Sequence, residues 1–313
     1  MLLSHELLRH GLRGGRPKWQ GRAMAAVDEI CTDPTILDQW HPLAALNEIG
    51  AGVVAETMLL GQRLSYRGNG KDDATAWVAA DPAAEPIATL LKFGYLWACL
   101  GEPPAALFDI AEYDEPDRRN LNSASIGVHC SAPRAVENFL DMGHFPFVHT
   151  GYLGEEPHSE VLEYQVSTDP DTGDLWATEC LFWQPMAAAS STNGQMVDYL
   201  YRVPHPYCTL LYKSCPGDES RMDVVALFNQ PMTATHIRGH MLMSYLDDAN
   251  DLVALRHFAQ TIFAQDKPIL ENQYPKELPL DPRAETPIRA DKIAIAYRRW
   301  LSELGVTYGV IPA

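Results

Sequence analysis

Between Trp40 and about Ala80, apolar residues fall in short runs, VVAETMLLG, QRLSYRG and TAWVAA, broken by polar stretches such as GNGKDD. Runs of that length suit strands, and the Asn-Gly pair predicts a hairpin. A small β unit is expected here. Residues 81–88, DPAAEPIA, form a Pro/Ala connector, after which LLKFGYLWACL returns to strand character. DEPDRRNLNSAS has the polar composition of an inter-domain linker. Next, SIGVHC predicts a strand and SAPRAVENFLDMGHF a helix, with Ser131 as N-cap, Pro133 in the first turn, and Val136, Phe139 and Leu140 at helical spacing. Between residues 160 and 246 the runs EVLEYQVST, LWATECLFWQ, YLYRVP, TLLYKSC, DVVALFNQ and THIRGHMLMSYL predict an antiparallel sheet. DANDLVALRHFAQTIFAQDKPILENQ, led by an Asp/Asn cluster, and ADKIAIAYRRWLSEL then predict two amphipathic helices. There is no internal repeat and no low-complexity tract.

The chain has 313 residues, 46% of them hydrophobic, enough for a large core in one or two units. Its net charge of −17 argues against a nucleic-acid partner, which needs a basic footprint, and suits docking to a partner with a basic face. The six cysteines form no CxxC pair and no dense framework, so reduced thiols and a cytoplasmic location are expected. The N-terminal segment lacks the apolar stretch of a signal peptide and reads as a poorly ordered arm. The most apolar later stretches, AGVVAETMLLG and LLKFGYLWACLG, fall short of the roughly 18 residues a membrane-spanning helix needs.

Candidate chemistry concentrates in ENFLDMGHFPFVH. Glu137, Asp141 and His144 are spaced four and three apart, as neighbours on one helical face are. His149 follows five residues after His144, with Pro146 interrupting helical hydrogen bonding between them, so a kink or wide turn could bring both imidazoles to one point. Two neutral imidazoles suit a borderline metal. A third ligand is offered by Asp266, which lies four after Ile262 and three before Ile269 on an apolar helical stripe, where a carboxylate is costly unless paired or metal-bound. Two histidines and one carboxylate leave open positions on an ion, as in non-haem Fe(II) oxygenases. Bland readings also stand: the histidines as a hydrogen-bonded pair, Asp266 as an N-cap ahead of Lys267 and Pro268, and Glu137 and Asp141 as a solvated face. Spacing alone leaves both readings open.

ENFLDMGHFPFVHTGYLG resembles the catalytic-domain signature of Rieske non-haem iron oxygenase terminal subunits. FAQDKPILENQYPKELP followed by ADKIAIAYRRWLSEL resembles the C-terminal part of their demethylating branch, close to the methylxanthine N-demethylases. The likeness extends over most of residues 36–303, including WHPLAAL and FGYLWACLGEP. It implies an α+β fold: an N-terminal arm (1–35), a truncated Rieske-like β domain (36–115), and a helix-grip (START/Bet v1-like) catalytic domain (116–313) with a curved antiparallel sheet and C-terminal helices. By the resemblance His144, His149 and Asp266 are ligands of a mononuclear Fe(II). Asp141 is the carboxylate that hydrogen-bonds a ligand histidine and links it to a neighbouring subunit's cluster, and Asn138 is a polar residue near the iron. The implied reaction is hydroxylation of a methyl carbon on N or O of an aromatic or heteroaromatic substrate, with collapse to formaldehyde. Phe182, Trp183, Phe228 and Gln230 are candidate walls of the pocket, from strand position alone.

One feature of the family is missing. A Rieske cluster is held by two cysteines and two histidines, in Cys-x-His and Cys-x-x-His pairs. Here the residues two after the cysteines are Asp33, Gly101, Ala132, Phe182, Leu210 and Gly217. Family members carry the cluster insertion between the strand ending here at Ala79/Ala80 and the one containing Phe93 to Leu100; this chain crosses that interval with DPAAEPIATLLK. The expectation is therefore no [2Fe-2S] cluster in this chain, with electrons from a Rieske protein acting in trans and a homo- or hetero-trimeric assembly. Rival readings are a non-catalytic subunit of a mixed oxygenase, a 2-oxoglutarate-dependent oxygenase using His158-Ser159-Glu160, and a metal-free ligand-binding module. The histidines at 129, 205, 236, 240 and 257 are read as structural.

Overall fold

A computed structural model describes residues 30–79, 85–186, 193–215, 218–247 and 250–313. Most of the expected arm and part of the Pro/Ala connector lie outside the described residues. A short helix α1 (Pro34–Leu37) leads into β1 (His41–Ala45), β2 (Ala55–Leu59), β3 (Gln62–Gly68), β4 (Ala74–Val78), β5 (Ala88–Lys92) and β6 (Tyr95–Cys99). These form two three-stranded sheets, β2-β3-β4 and β1-β6-β5. Two hairpins turn on pairs in the left-handed region, Leu60-Gly61 (φ 54 and 80) and Phe93-Gly94 (φ 55 and 76), the geometry of tight two-residue connections. The first turn is pinned to the main sheet, with Leu60 N–H donating to Pro231 O and Gly61 N–H to Met232 O.

The main sheet is built from β7 (Arg119–Val128), β8 (Gln165–Thr168), β9 (Leu175–Gln184), β10 (Gln195–His205), β11 (Cys208–Cys215), β12 (Asp218–Pro231) and β13 (Ile237–Tyr245). It is antiparallel throughout, in the order β7-β13-β12-β11-β10-β9-β8. Helices α2 (Ala132–Leu140) and α3 (Phe145–Val148) follow β7; α4 (Leu252–Asn272) and α5 (Lys292–Glu303) close the chain. Both faces of the sheet are covered, so its strands are apolar on both sides. On β12, Val224, Ala226 and Phe228 pack outward against Tyr95 and Trp97 of the N-terminal unit, while Leu227 joins the core shared with α4. The alternation sets which residues can reach a site beneath α4.

The α+β class, the antiparallel sheet and the C-terminal helices are as expected, and Asp251 caps α4 through Ala254 N–H at 2.8 Å. The polar linker is a correction: its residues 119–125 belong to β7, an edge strand. Its polarity is absorbed by contacts. Asn122 accepts from Tyr95 Oη and donates to Glu48, both at 2.8 Å, and Arg118, just before the strand, donates to Met222 O and Ser244 O. Among the described residues no helix is long and apolar enough to cross a membrane.

Candidate metal centre

Ser131 starts α2 by accepting from Arg134 N–H, and Pro133 occupies the first turn, where a missing N–H costs nothing. The helix ends at Leu140, and Asp141 is its C-cap in an extended conformation. Glu137, Asp141 and His144 therefore do not share one helical face. Glu137 turns instead to Arg134 and Arg298, at 3.3 and 2.6 Å, in a buried network completed by Glu285. Asp141 Oδ1 accepts from Gly143 N–H at 2.7 Å and Oδ2 meets His144 Nδ1 at 3.0 Å. Pro146 then sits at the start of α3, whose caps are His144 and His149. The helix has already ended at the extended Asp141, and Pro146 starts a separate short turn whose two ends carry the imidazoles.

The third member comes from α4. Asp266 is deep inside that helix, which runs through Lys267 and Pro268 without a break, so Asp266 is no N-cap. Its Oδ1 lies 3.3 Å from His144 Nε2 and 3.2 Å from His149 Nε2, and the two Nε2 atoms are 3.1 Å apart. The outer ring nitrogens are both engaged: His144 Nδ1 with Asp141 and His149 Nδ1 with Gln265 Oε1 at 2.9 Å. A carboxylate and an amide oxygen are acceptors, so each places the ring proton on Nδ1 and leaves the Nε2 lone pair turned inward. Three lone-pair-bearing atoms then face one another across about 3 Å. Asp266 Oδ1 is buried without a hydrogen-bond partner. Such an arrangement needs positive charge at its centre, a proton or a metal ion, and nitrogen, nitrogen and carboxylate oxygen form a donor set that suits Fe(II). The residues fit a metal ion.

In the metal-free chain that positive charge is a proton on His144, which a bound metal would displace. Burial opposes protonation of His144, but the hydrogen bonds and charges of Asp141 and Asp266 outweigh it and hold its pKa up at about 9. Burial pushes the Asp266 carboxyl up, yet the two imidazoles beside it pull it below its ordinary value. Among the described residues, His144, His149 and Asp266 are the one group of three or more such side chains close enough to hold a metal. His158 belongs to no such group; it stacks on Trp183 at 4.3 Å.

Two hollows flank the triad. An inner cavity of about 110 Å³ lies between the sheet and α4, walled by Phe145, Tyr199, Tyr201, Leu227, Met243 and Phe263 among others, with His149 and Asp266 on its surface. It is smaller than the roughly 300 Å³ of the smallest usual ligand clefts, and the unbranched Met241 and Met243 are the wall residues best able to give way. An outer cleft of about 470 Å³ is lined by Glu137, Asp141, Glu285 and Asp291. His144 and Asn138 border both. None of the four guessed wall residues lines the inner cavity. Phe228 lies in the outward core and Gln230 bonds Thr57 and Met58, both one strand position out of phase with Leu227; Phe182 stands behind Phe145, and Trp183 is taken by His158. Gln265, Tyr199, Tyr201 and Lys213 went unread in the sequence. For the tyrosines, the period-two phase of YLYRVP set against THIRGHMLMSYL was the available signal; Gln265 had only its place beside Asp266.

Comparison with known proteins places this architecture. Residues 128–307 match the vanillate O-demethylase oxygenase C-terminal domain. The chain is 43% identical over 274 residues, 88% of its length and 96% of the relative's, to a probable methylxanthine N7-demethylase, NdmC, of Pseudomonas sp. (strain TJI-51). It is 28% identical to the methylxanthine N1-demethylase NdmA of Pseudomonas putida, over 68% of this chain and 59% of that protein. The solved structure of NdmA from Pseudomonas putida CBB5 with caffeine superposes with a TM-score of 0.68 at 19% identity, covering 86% of this chain and 91% of that one. Dicamba monooxygenase superposes at 0.66 over 86% and 97%. The chain belongs to the vanillate-type demethylase family, the demethylating branch of the Rieske non-haem iron oxygenase terminal subunits, and is an oxidoreductase of the oxygenase type.

Proposed function

We propose that this chain is the catalytic subunit of an N-demethylase for methylated heteroaromatics of the methylxanthine class, with a mononuclear Fe(II) held by His144, His149 and Asp266. The observation that carries the reading is the inward convergence of their three donor atoms, each within 3.3 Å of the others, beside an apolar cavity. In such a site ferrous iron supplies the O2-dependent hydroxylation of a methyl carbon, drawing on two external electrons and two protons and releasing water. The N-hydroxymethyl product then loses formaldehyde as its C–N bond breaks and the nitrogen gains a proton.

The protein's own part is positioning. Asp141 and Gln265 fix the two ring tautomers, so both Nε2 atoms stay available as donors. Phe145, Phe258 and Phe263 keep the cavity dry, while Asn138 stands where the two hollows meet. The cavity holds the His149–Asp266 side of the triad, and the Asp141–His144 edge faces the outer cleft. We assign that cleft to a separate Rieske protein, because the chain carries no pair of cysteine motifs able to hold a cluster of its own. The same reading divides the chain into the arm (1–35), a β unit without a cluster (36–115) and the iron-bearing unit (116–313), assembled as a trimer.

The test is an anaerobic Fe(II) titration of the parent and of His149→Ala, followed by O2, a reduced Rieske protein and caffeine, with formaldehyde as the readout. One iron per parent chain, little in the variant, and formaldehyde from the parent alone are expected. A parent that binds iron stoichiometrically and yet releases no formaldehyde, while sustaining turnover by a companion oxygenase, overturns the catalytic assignment in favour of a non-catalytic subunit.

A further inference from the structure

Among the side chains that wall the inner cavity, two present a buried oxygen with no hydrogen-bond partner: Asp266 Oδ1, assigned above to iron, and the hydroxyl of Tyr201. Tyr201 is fully buried on β10, directly opposite Leu211 of β11, which also lines the cavity. Its ring is held edge-on by Phe139 and packs against Tyr199. The two tyrosines differ in one respect. Tyr199, also on the cavity wall, has its hydroxyl bonded by Gln184 Nε2, whereas the Tyr201 hydroxyl is left without a partner. Phenylalanine would fill the same space and spare the chain an unpaired buried hydroxyl. Burial also keeps the Tyr201 phenol protonated, so it is available as a donor.

We propose that Tyr201 is a substrate-recognition residue: its hydroxyl donates a hydrogen bond to a ring acceptor of the substrate, a carbonyl oxygen or a pyridine-type nitrogen. The contact selects heteroaromatics that carry such an acceptor over plain aromatic rings. It also sets which ring position turns its methyl toward His144, His149 and Asp266. The inference rests on the demethylase reading and deepens it, since an apolar cavity alone gives a flat bicyclic molecule no orientation. A fixed donor deep in the apolar wall restricts that freedom.

The experiment compares the iron-loaded parent, Tyr201→Phe and Tyr199→Phe in binding titrations with caffeine and with 1-methylindole, which has the methyl and the bicyclic shape without a ring acceptor. Thermal unfolding and iron stoichiometry are measured alongside. Tyr201→Phe is expected to keep its iron, to unfold no earlier than the parent, and to bind caffeine roughly tenfold to a hundredfold more weakly, with 1-methylindole binding unchanged. Tyr199→Phe, which strands Gln184, is expected to unfold earlier. If Tyr201→Phe binds caffeine within twofold of the parent, or is destabilised as Tyr199→Phe is, the hydroxyl is structural and the proposal falls. A parent that binds neither caffeine nor any other methylxanthine overturns the demethylase reading and takes this inference with it.

Discussion

Replacing Gln265 by leucine probes the metal assignment at a residue that donates nothing to the ion. His149 is 1% exposed and its Nδ1 has a single acceptor, Gln265 Oε1, at 2.9 Å. Leucine has similar volume and no acceptor. In the metal-bound state the proton must stay on Nδ1, because Nε2 is the donor atom, so the variant buries an unsatisfied N–H at a cost of about 1–3 kcal/mol. The metal-free chain escapes that cost: the proton moves to Nε2, where Asp266 Oδ1 waits 3.2 Å away. The penalty therefore falls on affinity and leaves folding nearly untouched. A loss of about 10- to 100-fold in iron affinity is expected, equivalent to roughly 1.4–2.7 kcal/mol. Anaerobic Fe(II) titration against a competing chelator measures it, with thermal unfolding of the metal-free proteins as control. Gln265→Glu, which keeps an acceptor at that position, should bind at least as tightly as the parent. Equal affinity in parent and Gln265→Leu would refute the tautomer argument.

The charge network behind α2 should be structural. Glu137 packs against Arg134 and Arg298, themselves 1% and 5% exposed, and Glu285 also pairs with both, so Glu137→Ala leaves each guanidinium one carboxylate and should cost about 1–3 kcal/mol in urea unfolding, whereas removing Glu285 as well should cost clearly more; a double variant no less stable than the single one contradicts this. Acid should weaken the fold through neutral buried histidines. Burial holds His41 down at about 4 and His240 at about 3, whereas an unfolded histidine titrates near 6.5. Both folded values are depressed, so their contribution is complete above about pH 6.5 and is lost as pH falls toward 4, at about 1.4 kcal/mol per pH unit for each residue. Between unfolding at pH 7.5 and at pH 5.5 these two should remove about 2–3 kcal/mol, offset in the metal-free chain by about 1.4 kcal/mol gained at His144, whose raised folded value acts in the opposite sense; a chain more stable at pH 5.5 than at 7.5 would argue that His41 and His240 are protonated in the folded state.

What the sequence carried was what local periodicity and capping chemistry determine. Ser131 and Asp251 announce their helices, and every β-rich run from 160 to 246 contains a strand, though EVLEYQVST only in its last four residues. The proline between His144 and His149 and the carboxylate on the apolar stripe of α4 made the meeting of His144, His149 and Asp266 possible to read, but spacing left it open and the family resemblance named the set. The misses share a cause: each depends on what lies across space. The polarity of residues 119–125 is consumed by Tyr95 and Glu48, which no local window contains. Glu137 was drawn away by Arg298, 161 positions downstream. Phe228 and Gln230 were misjudged because both faces of β12 are buried, so apolar content gave no phase, and on β9 Phe182 and Trp183 are taken by Phe145 and His158.

The placement of His144 between two hollows has a kinetic consequence. Asp141 borders the outer cleft alone and His149 the inner cavity alone, so on the proposed reading reductant and organic molecule would reach the triad through separate hollows. Neither has to leave before the other arrives. Steady-state patterns with varied docking protein and varied substrate should then intersect as for a ternary complex, without mutual competition even at saturation.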